Sequence, residues 1–208
     1  MKVLITGGNG DLAKYVSSRL SQLADYQVDT PLRTELDVTN PESVERYFST
    51  HHFDVAVNCA GSLYSSLVVE SDPALWINDI QTNLIGSYLI TRMALKSNPH
   101  CRIVNIASTA AFNAYKDWTS YCAAKAGVIK LTQGLAKDGY NIVAICPGAI
   151  DTKLRAKLSI NNPNVMSIEE GAAPIITAIT KNEYHSGDIV FYRKESIVIN
   201  PDFILDDV

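Results

Sequence analysis

Short, continuous apolar runs alternate along this chain with longer stretches in which apolar positions return every three or four residues. The first kind reads as buried strand and the second as amphipathic helix. On that rule residues 2–6 form a strand, a glycine-rich turn follows, and a helix extends to about residue 23. Residues 26–30 supply a second strand, and residues 35–38, where Leu36 and Val38 alternate with Glu35 and Asp37, a short third. Asn40-Pro41 marks a helix start, a cap followed by a first-turn proline, and that helix runs to about residue 50. A fourth strand covers 53–58, and Asp72-Pro73 opens a long helix to about residue 96. Strand five spans 103–107, a helix covers 118–137, and strand six spans 141–146, ending at Pro147-Gly148. A helix over 168–181, a last sheet strand over 187–192 and an edge strand over 196–200 complete the pattern. Such alternation implies right-handed crossovers, hence an α/β fold with a doubly wound parallel sheet. No linker, repeat or low-complexity segment interrupts it, so residues 1–208 are expected to form a single domain.

Composition narrows the function classes. At 208 residues, 47% hydrophobic and 19% charged, the chain is an ordinary globular one with a substantial core. A net charge of −4 offers no electrostatic reason to expect nucleic acid or an anionic membrane as partner. No apolar run approaches the roughly 20 residues that span a bilayer, and the amino terminus lacks a signal peptide's apolar region and cleavage site. Cys59, Cys101, Cys122 and Cys146 are scattered, with no metal-like spacing. They read as reduced thiols, and the expected compartment is the cytoplasm. The four histidines do not cluster with them, so no metal site is expected.

Chemistry concentrates in three places. Of ten tyrosines, only Tyr121 has a lysine four residues later, Lys125. One helical turn puts the two on one face, where the ammonium favours the ionised phenol. A phenol ordinarily titrates near ~10, too high for efficient proton transfer at neutral pH. Ser108 lies at the carboxyl end of the fifth predicted strand, where open α/β sheets place their ligands. Thr6-Gly7-Gly8-Asn9-Gly10-Asp11-Leu12-Ala13 follows the first strand and opens a helix, the context in which a glycine turn holds a dinucleotide. Gly7 permits the turn, Gly10 the approach of a pyrophosphate, and Ala13 close helix–sheet packing. The helix amino terminus adds its dipole.

A serine followed by Tyr-x-x-x-Lys at this spacing resembles the short-chain dehydrogenase/reductase family in its single-domain, Rossmann-fold form. Asp37-Val38 resembles the acidic position after the third strand that contacts adenine. Asn58-Cys59-Ala60-Gly61 resembles the family's Asn-Asn-Ala-Gly motif, with cysteine for the second asparagine. Asn83 falls mid-helix, where the family carries its fourth catalytic residue. Pro147-Gly148-Ala149-Ile150-Asp151-Thr152 resembles the segment whose threonine borders the nicotinamide. The resemblance covers residues 2–152, and the 187–192 strand extends it. It implies hydride transfer between a nicotinamide cofactor and a carbonyl or alcohol, with Ser108 binding the substrate oxygen and Tyr121 exchanging its proton. Lys125 would hold the ribose and lower the tyrosine pKa, helped by the positive oxidised ring, and Asn83 would position a water. Family resemblance also suggests a homodimer or homotetramer packed through the helices at 73–96 and 118–137.

The choice of cofactor turns on a short crossover. Were the second strand to end at Asp29, that carboxylate would bind the ribose 2′-hydroxyl and select NAD. Were it to run on to Leu32, Arg33 would meet a 2′-phosphate and select NADP. Arg-x-Glu-Leu-Asp-Val-Thr resembles reductases of the deoxysugar type, and the balance favours NADP. The glycine spacing is closer to larger, sugar-nucleotide-modifying relatives, but no large carboxyl-terminal substrate domain follows. The substrate segment at about 150–167 is short, with Lys153, Arg155 and Lys157 either meeting an acidic substrate or forming a solvated face. Trp118 either covers a hydrophobic substrate or belongs to the core. Two other functions stay open: a dinucleotide-binding sensor without catalysis, and an epimerase or dehydratase with tightly held cofactor.

Overall fold

In the computed structural model, residues 1–156 and 162–202 are described. Strands β1 (Lys2–Ile5), β2 (Gln27–Asp29), β3 (Val55–Asn58), β4 (Arg102–Ile106), β5 (Ile142–Pro147), β6 (Ile189–Arg193) and β7 (Ser196–Ile199) form one sheet in the order β2-β1-β3-β4-β5-β6-β7. All neighbours run parallel except β6 and β7, which close the sheet as an antiparallel hairpin. The reversal between β1 and β3 makes the doubly wound arrangement and opens a crevice at the strands' carboxyl ends.

The alternation of strand side chains divides the core in two. Val3, Ile5, Val104 and Val143 meet Ala13, Val16 and Leu20 of α1 (Asp11–Leu20) and Ala172, Ile175 and Ile179 of α7 (Ile168–Thr180). On the other face Leu4, Ala56, Ile103 and Ile142 pack against α2 (Pro41–Phe48) and α4 (Gly86–Ser97) through Val44, Phe48, Ile90 and Ala94. Helix α5 (Thr119–Lys137) completes that second layer, with Val128 and Ile129 against Ala144 and Ile189, and a single turn, α6 (Lys153–Ala156), follows β5. Each fully buried Leu or Ile contributes about 1.5–3 kcal/mol of transfer free energy. Polar signals set the helix starts: Asn40 accepts from the Glu42 and Ser43 amides at 2.9 and 3.2 Å, and Ser167 and Glu170 form a reciprocal box at the start of α7.

Two expectations fail here. Residues 35–38 form no strand: the Glu35 and Leu36 amides turn back onto the Leu32 carbonyl, both at 2.9 Å. Leu36 and Val38 are nevertheless buried, inserted into the cluster beneath α2 and α4. Period-two burial therefore arises there without a ladder, which is why the pattern mimics a strand. The long helix expected over 73–96 is divided into α3 (Pro73–Ile80), a π turn (Gln81–Ile85) and α4, and π turns of this kind frequently mark functional positions. Among the described residues no helix is long and apolar enough to cross a membrane.

Candidate active site

The end of β1 is tied to the end of β3 by Thr6, whose hydroxyl accepts from the Cys59 and Ala60 amides, both at 3.0 Å, and donates to the Val57 carbonyl. Gly7 then turns with φ +75°, and a Cβ there would lie 2.8 Å from the Ala60 Cα, so only glycine fits. A Cβ on Gly8 would meet the Thr30 carbonyl oxygen at 2.5 Å, which sets the turn against the segment that follows β2. The Gly10 amide closes the turn on the Gly7 carbonyl at 2.8 Å, and Gly10 caps α1 without a side chain. A helix amino terminus not capped by a side chain is the feature an anionic pyrophosphate requires.

A cleft of about 420 Å³ opens between this turn and the ends of β4 and β5. Its inner wall holds Ser108, Tyr121, Lys125 and Asn83. Ser108 follows β4 and caps the 3-10 turn Thr109–Ala111, accepting the Ala110 amide at 3.1 Å. Lys125 is buried; its ammonium donates to the Ile106 carbonyl at 2.8 Å and lies 5.5 Å from the centre of the Tyr121 ring. Trp118 meets the Tyr121 ring edge-on at 6.1 Å and Tyr115 at 5.1 Å, so an aromatic shelf flanks the site. Asn83, in the π turn, donates through Nδ2 to the Ser62 and Asp79 carbonyls, both at 2.9 Å. Its Oδ1 is buried and accepts no hydrogen bond. A Cβ on Gly61 would lie 3.1 Å from that oxygen and 4.0 Å from the Lys125 ammonium. The bare α-carbon of Gly61 thus leaves room beside two unlike polar groups.

Titration at this wall differs from the simple expectation. Burial dominates and pushes the Tyr121 phenol up to about 12; its hydrogen bond with Ser108 pulls the other way, and the Asp79 carboxylate adds to the rise. Lys125 is drawn down to about 8, again by burial first, with Cys59, Asp79 and Cys146 opposing. In the chain alone the lysine does not bring the phenol below its ordinary value, because low-dielectric surroundings penalise both charged forms.

The outer wall is formed by Pro147, Gly148, Ile150 and Thr152, with Asn9, Gly10, Asp11 and Leu12 opposite. Asp11 joins the two sides: its carboxylate accepts the Lys153 amide at 2.7 Å and lies 3.7 Å from that ammonium. Lys153 is thereby tied to the glycine turn, and Arg155 also lines the cleft, whereas Lys157 lies outside the described residues. The same holds for residues 157–161 of the expected substrate segment.

Other expected positions lie behind or beside the cleft. Gly7, Gly8 and Ala60 form the turn's backbone support. Asn58 points into the sheet–helix layer and donates to Thr91 at 3.0 Å and to Asn105 at 2.7 Å. Val38 packs where a Cβ on Gly86 would lie, at 2.8 Å. Strand β2 does stop at Asp29, but that carboxylate accepts the Tyr47 hydroxyl at 2.5 Å. Arg33 is exposed and paired with Asp37 at 3.1 Å. Burial acts to raise the Asp37 carboxyl, yet the Thr39 hydroxyl and amide and the Arg33 guanidinium outweigh it and hold it below its ordinary value. Sequence reasoning missed Asp79, which accepts from the Asn83 amide, and Ser120, which donates to Asp79. The one available signal was Asp79, a charge one turn before Asn83.

Comparison with known proteins agrees with this fold. Residues 1–163 match the family described as short chain dehydrogenase. An uncharacterized oxidoreductase of Staphylococcus saprophyticus is 33% identical over 168 residues, 74% of this chain and 70% of that protein. Among solved structures, a short-chain type dehydrogenase/reductase from Mycobacterium marinum superposes with a TM-score of 0.78 at 21% identity, covering 90% of this chain and 92% of that one. The closed form of a serine dehydrogenase complexed with NADP+ gives 0.73 at 22% identity, covering 86% and 89%.

Proposed function

The chain belongs to the short-chain dehydrogenase family, whose members are NAD(P)-dependent oxidoreductases, and from that membership we propose that its cleft reduces a small carbonyl compound, or oxidises the corresponding alcohol, with Tyr121 exchanging the proton. The observation that carries this is the convergence of Ser108, Tyr121 and Lys125 on one wall beside the partnerless Asn83 Oδ1. When bound, a nicotinamide dinucleotide supplies or accepts the hydride. The residues fit such a group: a glycine cradle a Cβ would fill, a helix terminus without a side-chain cap, and open space beside Gly61. Residues Gly7 to Leu12 would hold its phosphates, Lys125 its ribose, and Pro147, Gly148, Ile150 and Thr152 its nicotinamide. Ser108 then orients the substrate oxygen toward the Tyr121 hydroxyl, and Tyr121 gives or takes the proton at that oxygen. Lys125 returns the proton along a path that Asn83 Oδ1 completes by holding a water.

NADP is the preferred cofactor in this reading. Asp29 is engaged by Tyr47, whereas Arg33 is exposed and, among the described residues, paired with Asp37, on the segment that Gly8 packs against. An exposed guanidinium suits a 2′-phosphate. The chain acts as one unit with 150–167 as its substrate-facing segment. Four free thiols fit a reducing compartment such as the cytoplasm. Exposed Leu75, Ile85 and Tyr88 on α3, the π turn and α4 suit a homodimer or homotetramer, and a mass measurement in solution tests that. For the activity, titration with NADPH and NADH by nicotinamide fluorescence, followed by a carbonyl screen, is expected to give tight NADPH binding and turnover. Absence of binding by either nucleotide overturns the reading.

A further inference from the structure

Asp79 has no place in the chemistry so far, yet it is 1% exposed at the centre of the wall behind the tyrosine. A buried carboxylate is costly unless satisfied, and an apolar side chain of similar size would serve a helix–helix contact better. No described cation forms an ion pair with it. Its carboxylate oxygens accept three side-chain hydrogen bonds instead. The Ser62 hydroxyl donates to Oδ1 at 2.5 Å, Asn83 Nδ2 to the same oxygen at 3.0 Å, and the Ser120 hydroxyl to Oδ2 at 2.8 Å. These donors come from three separate segments: the loop after Gly61, the π turn, and the first turn of α5 immediately before Tyr121. One carboxylate thus gathers every segment that presents a group to the inner wall except that of Ser108.

We propose that Asp79 is a positioning residue for the Tyr121–Lys125 pair, acting in two ways through the same carboxylate. It fixes the Asn83 amide with its N–H groups inward, so that Oδ1 is the atom turned to the side of Gly61 and Lys125. Its carboxylate also stands behind the pair and favours the protonated form of the buried lysine. The geometry supports the first role directly: the acceptors around Asn83 Nδ2, namely the Ser62 carbonyl and the Asp79 carbonyl and carboxylate, leave no reason for that amide to turn. The second role agrees with titration. Besides Tyr121, the titratable groups acting on Lys125 are Cys59 beyond β3, Cys146 in β5 and Asp79. Burial drives both thiols upward, to about 11 and about 12, so neither carries charge near neutral pH. Asp79 opposes the burial that brings Lys125 to about 8.

The proposal rests on the reading that Tyr121 and Lys125 carry the chemistry, and its test is separable from that reading. Lysine labelled with 13C at Cε is incorporated into the full chain without nucleotide, and the Lys125 signal is assigned by its loss in Lys125→Met. Asp79→Asn keeps the shape and a hydrogen-bonding oxygen but removes the charge. The Lys125 titration midpoint is expected to fall by about 0.5–1 pH unit, a threefold to tenfold loss of proton affinity. The pH profile of kcat should move to lower pH with it, which a merely structural role would not produce. Asp79→Leu, apolar and suited to a buried helix position, gives the same reading should the asparagine variant fail to fold. An unmoved Lys125 midpoint in a folded variant overturns the proposal. If instead Tyr121→Phe turns over as fast as the parent, the catalytic reading falls while a shifted Lys125 midpoint stands.

Discussion

At the inner end of the cleft Ser108, Tyr121 and Lys125 stand on a strand terminus and a helix whose backbones are fixed by sheet and helix hydrogen bonds. At the rim, Asp29, Arg33 and Asp37 stand on a short strand end and a turn that closes on itself. The inner groups are half or fully buried, and the proton affinities of Tyr121 and Lys125 are displaced well away from ordinary values. The rim groups have each found a local partner: Tyr47 for Asp29, and each other for Arg33 and Asp37. Burial couples charges strongly, whereas water screens them. Chemistry is therefore expected to depend steeply on the inner residues, and cofactor choice only mildly on the rim.

The contrast is tested most severely at Tyr121. Tyr121→Phe keeps the ring beside Trp118 and removes one oxygen, so the fold and nucleotide binding should persist while kcat drops by about 10²–10⁴. A folded variant within threefold of the parent in steady-state turnover of NADPH and a carbonyl would remove Tyr121 from the reaction. Next comes Gly7→Ala, which forces a positive φ on an L-residue and drives its Cβ into the Ala60 backbone. We expect a loss of about 2–3 kcal/mol in a denaturation curve, with weakened NADPH binding. An unchanged midpoint would mean that the turn relaxes at little cost.

How far the sequence carries the reading follows the same division. The strand ends near Ser108 and Pro147 were legible because apolar runs stop sharply there, and helical spacing alone joins Tyr121 to Lys125. The rim was misread because Leu36 and Val38 bury their side chains at strand-like spacing while their backbone forms turns. Asn58 ends a predicted strand, where ligands are expected, yet its partners Thr91 and Asn105 are 33 and 47 residues away. No local pattern reports contacts of that kind. The role of Asp79 was hidden for the same reason, since Ser62 and Ser120 reach it from distant segments. The sign of the Tyr121 shift was missed because spacing records the neighbouring charge but not the desolvation that outweighs it.

Smaller effects belong to the rim. On the proposal that Arg33 meets a 2′-phosphate, Arg33→Ala should lower NADPH affinity about tenfold and leave NADH affinity within twofold, a difference of about 1.4 kcal/mol. Fluorescence titration with both nucleotides separates this from a general loss. Equal weakening of the two would show that Arg33 shapes the turn rather than reads the phosphate.

The smallest effect is the acid titration of Asp37. Its folded-state affinity for protons lies below the ordinary carboxylate value of 3.8, through Thr39 and Arg33 acting against burial. The sign follows from linkage: the stabilisation is present above the unfolded value and is lost as pH falls through the folded one. Because Arg33 is largely exposed, the pair is screened, and the contribution should be a few tenths of a kcal/mol at neutral pH. Denaturant midpoints of the parent and Asp37→Asn should therefore differ slightly at pH 7 and converge as the pH falls below 3.8 and through the folded value. A gap that persists at the acid end would assign the effect to the Thr39 hydrogen bonds rather than to charge. A gap much above about 1 kcal/mol at pH 7 would place Asp37 among the strongly coupled groups and erase the distinction between rim and inner wall.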